Sequence, residues 1–118
     1  MPIAVGGEVH LSLRHSVYGS QVEEHFRLSR EGLQLVRLRY AELRLVEFFG
    51  HEVARRDGDW WVVEGDRPNI PILTLRVSPE SRMRLAVGRE TISLWEQVEP
   101  GGWVRLGVVA CVEGPHAR

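Results

Sequence analysis

The sequence predicts a single all-β domain, an antiparallel sandwich or squat barrel of about eight to ten strands built from hairpins. Turn signals recur at short intervals, at Gly19-Ser20, Asp57-Gly58, Gly88-Arg89 and Pro100-Gly101-Gly102. Between them lie short runs rich in Val, Leu, Ile and Trp, the spacing of a sandwich or barrel. At 118 residues the chain suits one domain. We expect a core from about 8 to 110, loose ends, and no need of disulfide or metal staples.

The first hairpin is "LSLRHSVYGSQVEEHFRLS". With Gly19-Ser20 as a two-residue loop, Gly first suits a type II′ turn. Leu11 then faces Leu28, Leu13 faces Phe26 and Val17 faces Val22, all on one face because strand side chains alternate. The other face receives Ser12 with Arg27, Arg14 with His25, and Ser16 with Glu23. In this register His15 faces Glu24 on the apolar side. A lone charge there would be costly, so the two are expected to hydrogen-bond. They are the candidate binding or structural pair.

Asp57-Gly58 suits a type I′ hairpin that sets Val53 opposite Val62, Ala54 opposite Trp61 and Arg55 opposite Trp60. As part of a calcium loop it lacks the twelve-residue spacing. Gly88-Arg89 pairs Leu85 with Ile92 and Met83 with Leu94. Pro100-Gly101 suits a type II turn before a strand from Trp103 to Val109. Ile70 to Val77 reads as a strand whose proline belongs at its start or on an edge. The stretch from Leu33 to Phe49 shifts its alternation twice. Strands with bulges are the favoured reading; a helix from about Ala41 to Phe49 is the alternative.

Composition excludes little but helps. Net charge is −1, and all fifteen basic residues are arginine, spread along the chain. No field argues for nucleic acid or anionic membrane. The one cysteine, Cys111, allows no internal disulfide and reads as a packed or near-terminal thiol. No apolar run approaches a membrane span. No secretion signal is visible, so the protein is cytoplasmic if Met1 is its native start.

Catalytic motifs are missing. There is no GxSxG elbow, phosphate loop or HExxH, and no close Cys/His spacing. Strand alternation points His15 and Ser16 apart, against a nucleophile–base dyad. Neither a cofactor nor a metal site is expected, and the chain reads as a non-enzyme. Glu47 and His51 could approach the pair from another segment. Trp60 and Trp61 are adjacent in a strand, so one faces each side; one of them could be a stacking platform.

The stretch "HSVYGSQVEEHF" followed by "REGLQLVRLRY" resembles the start of a small bacterial family, family 1850 among the domains of unknown function. The resemblance rests on His15, Ser16 and Val17, then Val22, Glu24 and Phe26, then Gly32 and Leu33. "DGDWWVVEG" and "RMRLAVGRETISLW" are similar to its middle and end. It implies an all-β domain, usually behind an export signal and so on the periplasmic side of the envelope. It also implies genes beside TAXI-type TRAP transporter permeases. The partner would be a transporter component or a small solute. The family's Gly-Ala-Gly-like turn after the third strand is replaced here by "VEFFGHEV". A small metal-binding or proton-relay enzyme using His15 and Glu24 is the rival reading. A domain that pairs through a strand edge is a third.

Overall fold

The computed structural model describes residues 4–110; Cys111 lies outside them. Ten strands appear among the described residues, in two sheets. They are β1 (Glu8–Arg14), β2 (Gln21–Ser29), β3 (Gly32–Tyr40), β4 (Arg55–Asp57), β5 (Trp60–Glu64), β6 (Asn69–Ile70), β7 (Ile72–Val77), β8 (Arg84–Val87), β9 (Glu90–Ser93) and β10 (Gly102–Gly107). Eight form one sheet in the order β4-β5-β3-β2-β1-β8-β9, with β6 beside β3. β7 and β10 pair as a separate two-stranded sheet. Among the described residues one α-helix, α1 (Leu43–Phe48), follows β3. The architecture is the sandwich-like all-β fold that the turn spacing predicts.

Alternation sets the large sheet's core face. Val9, Leu11 and Leu13 of β1 share it with Val22, Phe26 and Leu28 of β2 and with Leu33, Leu35, Leu38 and Tyr40 of β3. A bulge makes this possible. His25 pairs with Arg37 and Phe26 with Leu35, which leaves Val36 as the extra residue. The bulge restores the apolar phase in β3, and it is the first of the two shifts seen in the sequence.

The second shift has a different cause. Residues 43–48 are helix, so the strand expectation for 41–49 fails there. Leu45 and Val46 are buried on the core face against Val22, Leu38, Tyr40 and Val63. Good helix formers and a three-to-four-residue apolar spacing override the β neighbours.

The core face is covered in two pieces. The β7–β10 sheet lays Leu73, Leu75, Val104 and Leu106 over Val9, Leu11, Phe26, Leu28 and Leu85, and α1 covers the other end. Pro71 marks the crossing between sheets. Asn69 and Ile70 pair with β3, and Ile72 onward pairs with β10. A residue without an N–H suits the point where one ladder ends. Gly32 is required close by: a Cβ there would lie 2.2 Å from the Ile70 carbonyl oxygen.

The hairpins test the turn reading. Gly88-Arg89 is correct, with Leu85 opposite Ile92 and the Leu94 N–H donating to the Met83 carbonyl. Pro100-Gly101 is correct too. Gly101 has φ +77° and the Gly102 N–H donates to Glu99 at 2.7 Å, the pattern of a type II turn. The strand after it runs Gly102–Gly107 rather than to Val109.

The second hairpin is displaced. Asp57 faces Trp60, Arg56 faces Trp61 and Arg55 faces Val62, so the loop is Gly58-Asp59. The first hairpin is displaced further. Arg14 faces Gln21 and Leu11 faces Glu24, which leaves His15 to Ser20 to close a longer turn. Gly19 ends that turn at φ +69° and donates its N–H to the His15 carbonyl at 2.8 Å. Glycine supplies the positive φ in each case. It is the first loop residue at 58 and 88 and the last inner one at 19.

Candidate functional site

The His15–Glu24 pair does not form. Glu24 stands opposite Leu11 and Leu38 in mid-sheet, and His15 belongs to the turn. The predicted partner of His15 faces a leucine instead, because the pairing is shifted by four residues from the expected one. Val17, expected in the core, is mostly exposed.

His15 has a different task. Its Nδ1 accepts the backbone N–H groups of Val17 at 3.2 Å and Tyr18 at 3.3 Å. The ring thus closes the turn much as an Asn or Asp side chain does, with the lone pair on Nδ1. It is 8% exposed. Around it lie the rings of Tyr18, Phe48 and Phe49 at centroid distances of 5.4, 5.0 and 5.5 Å. The tip is tied to α1 by two further contacts. Ser20 Oγ donates to Glu42 at 2.5 Å, and the Arg44 guanidinium lies 4.0 Å from the centre of the Tyr18 ring.

Glu24 remains on the apolar side, as the alternation predicts. Val22 and Phe26 flank it on the same face. These neighbours belong to the clusters under α1 and under the β7–β10 sheet respectively, so Glu24 occupies the seam between the two covers. Burial raises its pKa, with the Arg67 charge pulling the other way. Among the described residues no hydrogen bond reaches its carboxylate from a side chain.

Tyr40 and His51 complete this group. The Tyr40 phenol is pushed up to about 12 by burial, and then by the Glu24 charge. His51 is pushed down by burial and by the Arg67 charge. Both are therefore neutral near pH 7, and the Tyr40 hydroxyl and His51 Nε2 share a hydrogen bond of 2.8 Å. Phe49 stacks on Tyr40 at 5.7 Å, so one aromatic layer links the His15 turn to the Glu24 seam. His15 and His51 thus both lie against Phe49, while Glu24 stands on the core face in mid-sheet.

Other expectations fare less evenly. Glu47 is exposed on α1, outside the group. Ser16 is exposed and lines, with Arg14, His15, Ser78, Glu80 and Ser81, a cavity of about 360 Å³. Trp60 and Trp61 do face opposite sides. Trp61 packs at the margin of the α1 cluster, and Arg39 rather than Arg55 lies over Trp60, at 4.6 Å.

The outer face of the large sheet holds residues that sequence reasoning missed. His10 faces His25, with ring centroids 3.5 Å apart and planes within 8°. Glu8, Glu23, Arg37 and Arg39 surround them. Two Glu-x-His repeats, Glu8-x-His10 and Glu23-x-His25, were the available signal. The expected register set His10 opposite Ser29 and hid the pair.

The family model described as Domain of unknown function (DUF1850) matches residues 9–94. The chain belongs to this family. The match spans β1 through β9 and so includes the His15 turn, the Glu24 seam and α1. No curated protein and no solved structure matches the chain significantly. Family membership thus accounts for the resemblance carried by "HSVYGSQVEEHF" and leaves chemistry to be argued from the residues. Among the described residues no helix is long and apolar enough to cross a membrane.

Proposed function

We propose that this domain is a non-enzymatic binding or accessory module of the bacterial envelope. It would work beside a TAXI-type TRAP transport system and dock a protein component of it through the β1–β2 tip and α1. The observation that carries this reading is the aromatic surface at that end. Phe48 and Phe49 are 53% and 49% exposed, while their inner edges are fixed by His15, Tyr18 and Tyr40. Val17 and Leu43, also exposed, belong to the same tip and helix. Rigid, half-buried aromatics with a polar rim are what protein-binding hot spots are made of. The transport context comes from the resemblance, and the phenylalanines stand where that resemblance implies a glycine-rich turn.

The test is binding of the purified chain to the TAXI substrate-binding protein and to the TRAP permease of the same organism. Phe48→Ser with Phe49→Ser is expected to weaken binding at least about tenfold while the fold, read by circular dichroism, persists. Wild-type chain that binds neither protein, or a variant that binds equally well, would overturn the proposal.

A small solute is the second reading. The polar cavity beside His15 favours it, because Arg14 and Glu80 offer both charges to one ligand. Ser78→Val should then abolish solute binding and leave docking intact.

A further inference from the structure

The outer face of the β1–β2 pair carries an arrangement that the aromatic end does not use. Glu8, His10 and His25 each offer one ligand atom, and these atoms lie within 4.8 Å of one another. His10 Nε2 is 3.1 Å from Glu8 Oε1, and His25 Nδ1 is 3.9 Å from the same oxygen. All three come from two adjacent antiparallel strands, β1 and β2.

The hydrogen bonds around His25 fix its lone pair. Arg37 Nη1 lies 3.0 Å from His25 Nδ1. A guanidinium only donates, so Nδ1 accepts and carries no proton. The proton is on Nε2, which donates to Glu23 Oε1 at 3.1 Å. A carboxylate on the far nitrogen of an imidazole is the device that orients metal-bound histidines and raises their basicity. Arg39 holds Glu23 in place in turn, at 3.0 Å. The Arg37 cation occupies the position between the ligands, 3.1 Å from Glu8 Oε1. It has a second carboxylate to move to, since its Nε already donates to Glu64 at 3.2 Å.

We infer that Glu8, His10 and His25 form a binding site for a divalent transition ion of the zinc, nickel or copper kind, with Glu23 as its orienting carboxylate and Arg37 as a displaceable stand-in for the ion. Two imidazoles and one carboxylate suit such ions and not calcium or magnesium, which take oxygen sets. Three protein ligands leave a coordination position for water or a partner's side chain. The binding step is balanced: Arg37 moves to Glu64, the ion takes its place, and the His10 Nε2 proton moves to Nδ1 through solvent. A tetrahedral ion sets ligand atoms roughly 3.5 Å apart; the three ligand atoms already lie within 4.8 Å of one another, and the half-buried His10 ring turns out of its stack on His25 to aim its lone pair at the ion.

The test is calorimetric titration of the full chain with zinc chloride, calcium chloride serving as the comparison, alongside melting curves. The expected result is one zinc per chain, a raised melting temperature, and no response to calcium. Glu23→Gln should weaken zinc binding about 10–100-fold, the usual effect of losing an orienting partner. Arg37→Gln should strengthen it about tenfold. His10→Gln should abolish it; His10 is only half-buried, so that variant tests the site without endangering the fold, and Glu8→Gln repeats the test at the second ligand of β1. Absence of one-to-one zinc binding, or binding that survives both His10→Gln and Glu8→Gln, would overturn the inference.

Discussion

Glu23 and Glu24 are adjacent in β2, yet the two faces of the large sheet treat them in opposite ways. Outside, Glu23 accepts from His25 and Arg39, and the hydrogen bond from His25 leads the causes that lower its pKa. Inside, Glu24 sits at the seam between two apolar clusters, and burial raises its pKa. One residue type thus becomes an anchored anion on one side and a reluctant one on the other. The same contrast separates the two buried histidines. His15 spends its lone pair on backbone N–H groups, which is a structural use. His25 aims its lone pair at the Arg37 guanidinium, which lies between charged neighbours. A polar group's environment, more than its burial, decides whether it can take part in chemistry.

The largest break in this contrast is expected at His15. His15→Ala leaves two turn N–H groups without their acceptor and removes a ring packed among three aromatics. It should cost about 3 kcal/mol in urea unfolding. His15→Asn should recover part of that loss, because a short side-chain acceptor can close the same turn. Equal losses for both variants would show that packing alone matters there.

Next comes Tyr40→Phe, which removes the hydrogen bond to His51 Nε2 and should cost about 1 kcal/mol. The carboxylates give smaller effects with opposite signs. The Glu23 pKa is lowered on folding, so its contribution is present above the unfolded carboxylate value and is lost as pH falls through the folded one. Glu23→Gln should therefore destabilise at pH 7 and matter little in acid. The Glu24 pKa is raised, so folding is favoured while it is protonated and loses that gain as pH rises through the carboxylate range. Glu24→Gln should raise the melting temperature at pH 7 by a few degrees, and the difference should vanish near pH 4. The smallest effect belongs to the rim. Arg84→Ala removes a cation from the Trp95 face and should cost roughly 0.5 kcal/mol.

Much of the fold was legible because it depends on local rules. Gly88-Arg89 and Pro100-Gly101 each carry turn chemistry with one good solution, and their registers hold. Glycine also marks positive φ at 19 and 58, but not its place within the loop, which a side chain as far off as His15 helps to set. Because side chains alternate, the four-position slip at the first hairpin kept Glu24 on the correct face. It gave Glu24 the wrong neighbour all the same and concealed His10 opposite His25. The helix at 43–48 was half-legible: its propensity was visible, but the α1 site on the core face exists only once β2, β3 and β5 have assembled. Arg67 could not be read at all, since a loop outside the hairpins brings its charge to Glu24 and His51.

Site-resolved carbon-13 titration of the side-chain carboxyls tests the central claim most directly, that the β1–β2 pairing sets Glu23 outside and Glu24 within the seam. The account predicts that Glu23 titrates below the ordinary glutamate value of about 4.3 and Glu24 above it. Coinciding midpoints, or the reverse order, would contradict it.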